Sequence, residues 1–424
     1  MVTSLEYEVM TMNTIKDDAR YIVERSIETV LPEKAVFNSL EGLHLSGKTF
    51  LLAIGKAAWR MAKAAREKLG RFITTGVVIT KYGHVEGEIQ GIDSFEAGHP
   101  FPDENTIAAT TKALEMISAI KPDNILLLVS GGGSALFEKP VEGVSLEDLV
   151  DINNRLLRSG ANIVEINTVR KRLSAVKGGR FAKMFAQTTI HSLVLSDVLG
   201  DRLDSIASGP AYPDSSTCEE ALSIIDRYGL VLRPELREIL KIETPHLLSN
   251  VQTRIIGSVG RACEAAGVFA RELGYEPMIL TTTLDCEARD AGNFLAAIAR
   301  EEMYDRPLKR PCAIILGGET VVHVRGTGLG GRNQELALSF AIASNGLDKV
   351  TLASVGTDGT DGPTDAAGAI VDGGSAKEMI ERGIDPYIYL LDNDSYHALE
   401  ISGELLKTGP TGTNVNDLIV LLCR

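Results

Sequence analysis

The sequence predicts a two-domain α/β protein, and three observations carry that reading. Short apolar runs alternate with stretches of helical composition along most of the chain, the pattern of βαβ units in a parallel sheet. The chain has 424 residues, more than one hydrophobic core usually accommodates. It has 41 glycines, many of them clustered behind the apolar runs, where backbone must turn or approach a ligand closely.

Taken in order, residues 12–30 read as a helix that Leu31-Pro32 ends. Residues 50–54 are an apolar run followed by Gly55-Lys56, and residues 57–69 are helical in composition. Residues 77–80 are the next strand, and residues 106–120 form a helix stopped by Lys121-Pro122. Residues 125–129 are a buried strand that runs into Ser130-Gly131-Gly132-Gly133-Ser134, and residues 192–195 are a strand ending at Ser196-Asp197. These units describe a Rossmann-like three-layer α/β/α sandwich. A second alternation starts near Arg254, with strands at 255–256, 277–280, 313–316, 350–355 and 418–422 and helices at 261–273, 287–304 and 333–344. The polar stretch 234–250 reads as irregular, which places the boundary near 245 and the domains at 1–245 and 246–424. Ligands of such sheets sit at the carboxyl ends of strands, so the expectation is a site in the cleft between the halves.

Composition excludes several classes. A formal charge of −14 disfavours nucleic acid. The five cysteines form no C-x-x-C pair, so neither a zinc knuckle nor a disulfide framework is expected, and the seven histidines are dispersed. No signal peptide is visible at the N-terminus and the longest apolar runs are strand-length, so the expected setting is cytoplasmic, with no membrane partner. Small-molecule substrates are the expected partners, and a homo-oligomer is left open.

The chemistry-bearing motifs follow strand ends. Ser130 to Ser134 lacks the Gly-Lys-Ser/Thr of a Walker A loop and the spacing of a dinucleotide fingerprint. It is either an anion cradle of backbone N–H groups or a tight turn. Lys56 is a point charge suited to phosphate or carboxylate, or a solvated helix-start lysine. The run Asn167 to Arg180 concentrates Arg170, Lys171, Arg172, Lys177 and Arg180. With the segment helical to Val176, Arg170, Lys177 and Arg180 share a face, as a polyphosphate clamp or as a solvated basic face. Asp197 ends a strand as a metal ligand, a base, or an Asx-turn. Glu319 follows Gly317-Gly318, and Arg332 offers a bidentate fork after Gly328 to Gly331. Asp358, Asp361 and Asp365 form an acidic turn able to hold a hard cation. Gly409 to Asp417 lines the site with hydroxyls and amides or merely connects, and His99 reads as structural or peripheral.

Set together, these segments resemble a known family. IGKAA at 54–58, GHPFPDENT at 98–106, SGGGSAL at 130–136 and SDVLGD at 196–201 with ASGP at 207–210 are similar to the class II glycerate kinases. GGET, GLGGRNQELAL, GTDGTDGPTDAAGA and TGPTGTNVNDL are similar to that family's C-terminal MOFRL domain. The motifs occur in order over nearly the whole chain. The resemblance implies two α/β domains, glycerate and ATP with magnesium as ligands, and transfer to the 2-hydroxyl in many members. On it, Lys56 meets the transferring phosphate or the glycerate carboxylate, Arg332 binds carboxylate or phosphate, and Asp197 is base or metal ligand. The loop Ser130, Gly131, Gly132, Gly133 and Ser134, with Lys177, holds nucleotide or another anion, and Glu319 with Asp358 or Asp361 positions magnesium. The alternatives are an NAD(P)H-dependent hydroxypyruvate reductase, which the missing nicotinamide fingerprint argues against, and a non-catalytic sensor of a small phosphorylated acid.

Overall fold

The computed structural model describes residues 14–304 and 307–424. The chain divides into two α/β units, one spanning Val30–Ser258 and the other combining residues 14–29 with Val259–Arg424.

The first unit is built on six parallel strands: β1 (Thr49–Ile54), β2 (Ile73–Lys81), β3 (Ile92–Ala97), β4 (Asn124–Val129), β5 (Thr189–Leu195) and β6 (Val251–Gly257). Their order is β3-β2-β1-β4-β5-β6, and every neighbouring pair is parallel. This is the doubly wound order, in which the chain reverses its direction of travel across the sheet between β1 and β4. Both strands at that reversal are buried at every residue, as expected of a sheet covered on both faces. Phe50, Leu52, Ile54, Leu127 and Val129 share one core with Leu136, Phe137 and Phe181. Four helices, Leu146–Arg158, Ile163–Leu173, Cys218–Arg227 and Pro234–Leu240, gather around a separate core of Leu149, Ile152, Leu156, Val169, Ile225 and Leu240.

The second unit holds β7 (Glu276–Leu284), β8 (Cys312–Gly318), β9 (Val350–Gly356), β10 (Gly368–Asp372), β11 (Leu405–Leu406) and β12 (Asp417–Cys423). The order is β11-β10-β9-β12-β8-β7. Only β7 and β8 are parallel; the remaining pairs are antiparallel. Because β12 runs against both neighbours, its first residue, Asp417, lies opposite Gly318 on one side and Gly356 on the other. The loops that leave β8 and β9 therefore meet at the start of β12. No helix among the described residues is long and apolar enough to cross a membrane.

Three expectations change. The strand expected to open the second half, around 255–256, belongs to β6 and closes the first sheet beside β5, so the contiguous boundary at 245 is replaced. The stretch read as irregular contains the helix Pro234–Leu240. The N-terminal helix spans Ile15–Thr29 and joins the second unit; Met12 and Asn13 of its expected range lie outside the described residues. Tyr21 stacks edge-on to Phe269 at 6.0 Å, and Tyr275 donates to Asp18 at 2.7 Å, which also pairs with Arg424. Such long-range pairings leave no local trace. The strand β3 escaped notice because it is a sheet edge, with mixed polar and apolar residues.

Candidate active site

In the first unit the loops after β1 and β4 are tied together at the reversal point. Lys56 N donates to Gly131 O at 2.8 Å, and Ala57 N donates to Ser130 Oγ at 3.1 Å. The Lys56 carbonyl accepts from Thr80 Oγ1 at 3.3 Å and from His84 Nδ1 at 3.0 Å. A carbonyl can only accept, so His84 carries its proton on Nδ1. The turn that presents Lys56 is thus held from three sides.

The glycines of the loop are there because its neighbours come close. A Cβ on Gly131 would stand 2.2 Å from Asp197 Oδ2. Gly132 has φ +82°, and a Cβ there would stand 3.0 Å from His99 Cδ2 and 3.2 Å from Lys56 Cγ. Bare backbone accordingly faces Lys56, Asp197 and His99 together. The N–H groups of Gly131 and Gly132 make no hydrogen bond among the described residues, an arrangement suited to an anion. The half-buried Lys56 forms no ion pair among the described residues. Burial and the charges of Lys56 and Lys81 lower the pKa of His99, disfavouring its protonated form.

Ser134 lies 3.0 Å from Ser208 Oγ, and Ser208 Oγ donates to Asn167 Oδ1 at 3.0 Å. A hydroxyl has one proton, so Ser134 donates to Ser208 and keeps its lone pairs for another donor. Ala207 and Ser208 hold φ +51° and +57°, a conformation that costs non-glycine residues roughly 1–2 kcal/mol each. Strain of this kind concentrates at functional loops.

Lys177 is placed differently from the sequence expectation. The helix ends at Leu173, so Arg170, Lys177 and Arg180 do not share a helical face. Lys177 is 0% exposed; its Nζ donates to Phe137 O at 2.7 Å and pairs with Glu138 at 3.2 Å. It is an internal ion pair behind the glycine loop and not an open anion ligand. Most of the basic run behaves likewise: Lys171 pairs with Asp214 at 3.1 Å and Arg172 with Glu243 at 3.0 Å. These three cations are therefore neither clamp nor solvated face, because carboxylates far away in sequence neutralise them; Arg170 and Arg180 instead donate to the amide oxygens of Asn153 and Asn167 and to Ser174 O.

In the second unit Arg332 opens the helix Arg332–Ala343. Its Nε donates to Asp417 Oδ2 at 2.6 Å, Nη2 to Asp417 Oδ1 at 3.0 Å, and Nη1 to Glu319 Oε1 at 2.9 Å. Five N–H bonds less these three leave two, one on each terminal nitrogen. Burial would lower the guanidinium's pKa, but the hydrogen bond and charge of Asp417, with Glu319, raise it. Glu319 Oε2 accepts from Asn416 Nδ2 at 3.0 Å, while the buried Asn416 Oδ1 has no partner among the described residues.

The acidic turn splits by role. Asp361, 3% exposed, accepts from Asn333 N at 3.1 Å and Gln334 N at 2.9 Å. It caps the Arg332 helix from a distant loop, and its oxygens face N–H donors instead of an open cation position. Burial pushes its carboxyl up to about 6, against the pull of those N–H groups. Asp358 is half-buried and accepts from Thr360 N at 3.0 Å. Asp361 is thus held as a helix cap, while Asp358 makes one backbone contact and Glu319 is held by Arg332 and Asn416. Sequence reasoning gave no separate role to Asp417, Asn416, Ser208 or Asn167. The first three stood inside recognised motifs, but their partners are set by the fold.

The family model of a domain of unknown function, DUF4147, matches residues 18–241, and the model of the MOFRL family matches residues 312–417. D-glycerate 2-kinase of Thermotoga maritima is 58% identical over 96% of this chain and 98% of its own. Glycerate 2-kinase of Pyrococcus horikoshii is 42% identical over 96% and 97%. The crystal structure of glycerate kinase from Thermotoga maritima superposes with a TM-score of 0.93 at 57% identity, covering 97% of this chain and 99% of that one. The chain belongs to the MOFRL-containing glycerate 2-kinase family.

Proposed function

We infer that the protein transfers the γ-phosphoryl group of ATP to the 2-hydroxyl of D-glycerate. Family membership supports the acceptor and the donor. The single observation that carries the chemistry is Lys56: a half-buried ammonium with no ion-pair partner among the described residues, set against two hydrogen-bond-free glycine N–H groups. Both reactants are anions and the protein carries −14, so local positive charge must be supplied where they bind.

Lys56 and the Gly131–Gly132 backbone neutralise the oxygens of the transferring phosphoryl group. Asp197, against Gly131, accepts the proton of the attacking hydroxyl. That oxygen bonds to the γ-phosphorus, the bond from phosphorus to the β,γ-bridging oxygen breaks, and ADP leaves. The two remaining N–H bonds of Arg332 form a fork for a carboxylate. The oxygen donors Glu319, Asp358 and the orphaned Asn416 Oδ1 suit a hard cation. Magnesium, if bound there, would supply charge neutralisation.

The test is ADP release with D-glycerate and ATP–Mg, with phosphorus NMR of the product to assign the phosphorylated carbon. Lys56→Ala should lower kcat/KM by about 10²–10³-fold with an unchanged unfolding midpoint. Hydroxypyruvate-dependent oxidation of NADH without ADP formation would overturn the reading.

A further inference from the structure

A feature of the first unit not used above is a cavity of about 520 Å³ bounded by the helices Ile163–Leu173 and Cys218–Arg227 and by residues 202–205. That volume falls in the range of about 300–1,000 Å³ that holds a drug-sized ligand, several times what a three-carbon acid fills. It abuts the glycine loop: its wall residue Asn167 is two hydrogen bonds from Ser134, through Ser208.

The wall is not a phosphate site. Its cations are already neutralised: Arg227 by Glu165 at 2.6 Å, Arg202 by Asp204 at 3.0 Å and Lys171 by Asp214 at 3.1 Å. What it offers is uncharged hydrogen bonding. Asn167, 4% exposed, accepts through Oδ1 from Ser208 and from Arg170 Nη1 at 3.4 Å. Arginine can only donate, so that atom is the oxygen and the amide nitrogen is the other one. Nδ2 has no acceptor among the described residues. The hydroxyls of Ser205, Ser215 and Ser223 likewise have no partner among the described residues, and Ile224 adds an apolar surface.

We propose that this cavity binds the nucleoside part of the phosphoryl donor, base against Ile224 and sugar toward Asn167, with the phosphates leaving along Ser134 to the glycine loop. The inference rests on the kinase reading for the identity of the donor.

Ser223 is exposed on its helix, so Ser223→Trp fills the cavity without disturbing a core. Calorimetric titration of the full-length wild type and Ser223→Trp with ATP, and separately with tripolyphosphate, tests it. The expected result is at least about tenfold weaker ATP binding in Ser223→Trp, with tripolyphosphate affinity and the KM for glycerate unchanged. Unchanged ATP affinity in Ser223→Trp overturns the nucleoside assignment while leaving glycerate phosphorylation intact. Equal losses for ATP and tripolyphosphate also overturn it, since they place phosphate in the cavity. A wild type that binds ATP but does not phosphorylate glycerate overturns the kinase reading alone.

Discussion

The guanidinium of Arg332 lies as a fork on the carboxylate of Asp417, with Nε to Oδ2 at 2.6 Å and Nη2 to Oδ1 at 3.0 Å. Asp417 is the first residue of the last strand and is 1% exposed, whereas the arginine side chain is one-third exposed. The buried partner thus aims the accessible one. Asp417→Asn keeps the shape and removes the charge. Its cost in stability should be about 1.5–3 kcal/mol, the range for a hydrogen bond to a charged group. If Asp417 positions Arg332, the KM for glycerate should rise more than the KM for ATP. Equal changes in both would assign Asp417 a purely structural role.

Gly131 tolerates no side chain while Asp197 stays in place. Gly131→Ala sets a Cβ 2.2 Å from Asp197 Oδ2, and the carboxylate must move. Misplacement of a reacting group by about 1 Å costs on the order of 10²-fold in rate. The expected outcome is such a loss in kcat, with circular dichroism and the ATP KM close to wild type. Full activity in Gly131→Ala would remove Asp197 from the proton-accepting role.

Asp361 makes a signed contribution to acid behaviour. Its folded pKa of about 6 lies above the ordinary 3.8, so between those values the folded state binds more protons than the unfolded chain. This contribution to stability grows as pH falls, the reverse of a salt-bridged carboxylate. From pH 7 to pH 4.5 it amounts to about 2 kcal/mol. Asp361→Asn should lack it. Urea unfolding of both proteins at the two pH values reads the difference, and parallel pH dependences would refute the assignment.

Lys177 and Glu138 separate a structural pair from a ligand site. Lys177→Ala leaves the buried Glu138 carboxylate unpaired, at a cost of about 3–5 kcal/mol. The double variant Lys177→Met with Glu138→Leu should recover most of that loss and retain ATP binding. If the refolded double variant no longer binds ATP, Lys177 is an anion ligand after all.

Much of the first sheet was legible because β1 and β4 are continuous apolar runs that end in glycine, and a parallel strand buried on both faces has no other composition available. The loops after them, and so Lys56 and Ser130 to Ser134, could be found without coordinates, as could Asp197 behind β5. The role of the basic run could not. Lys177 and Arg172 look solvent-bound in sequence, since Glu138 and Glu243, which neutralise them, lie 39 and 71 positions away. Asp361 reads as one acid of a turn, and only its burial against Asn333 N and Gln334 N turns it into a helix cap.

The sequence by itself determined the α/β class, the strand-end placement of the glycine loops and the family, because periodicity and ordered motifs are local properties of a chain. Tertiary structure alone decided that β6 closes the first sheet, that the N-terminal helix joins the second unit, and which charges are neutralised inside. Sheet order and ion pairing are contacts between distant segments, and a linear sequence names the participants without naming the pairs.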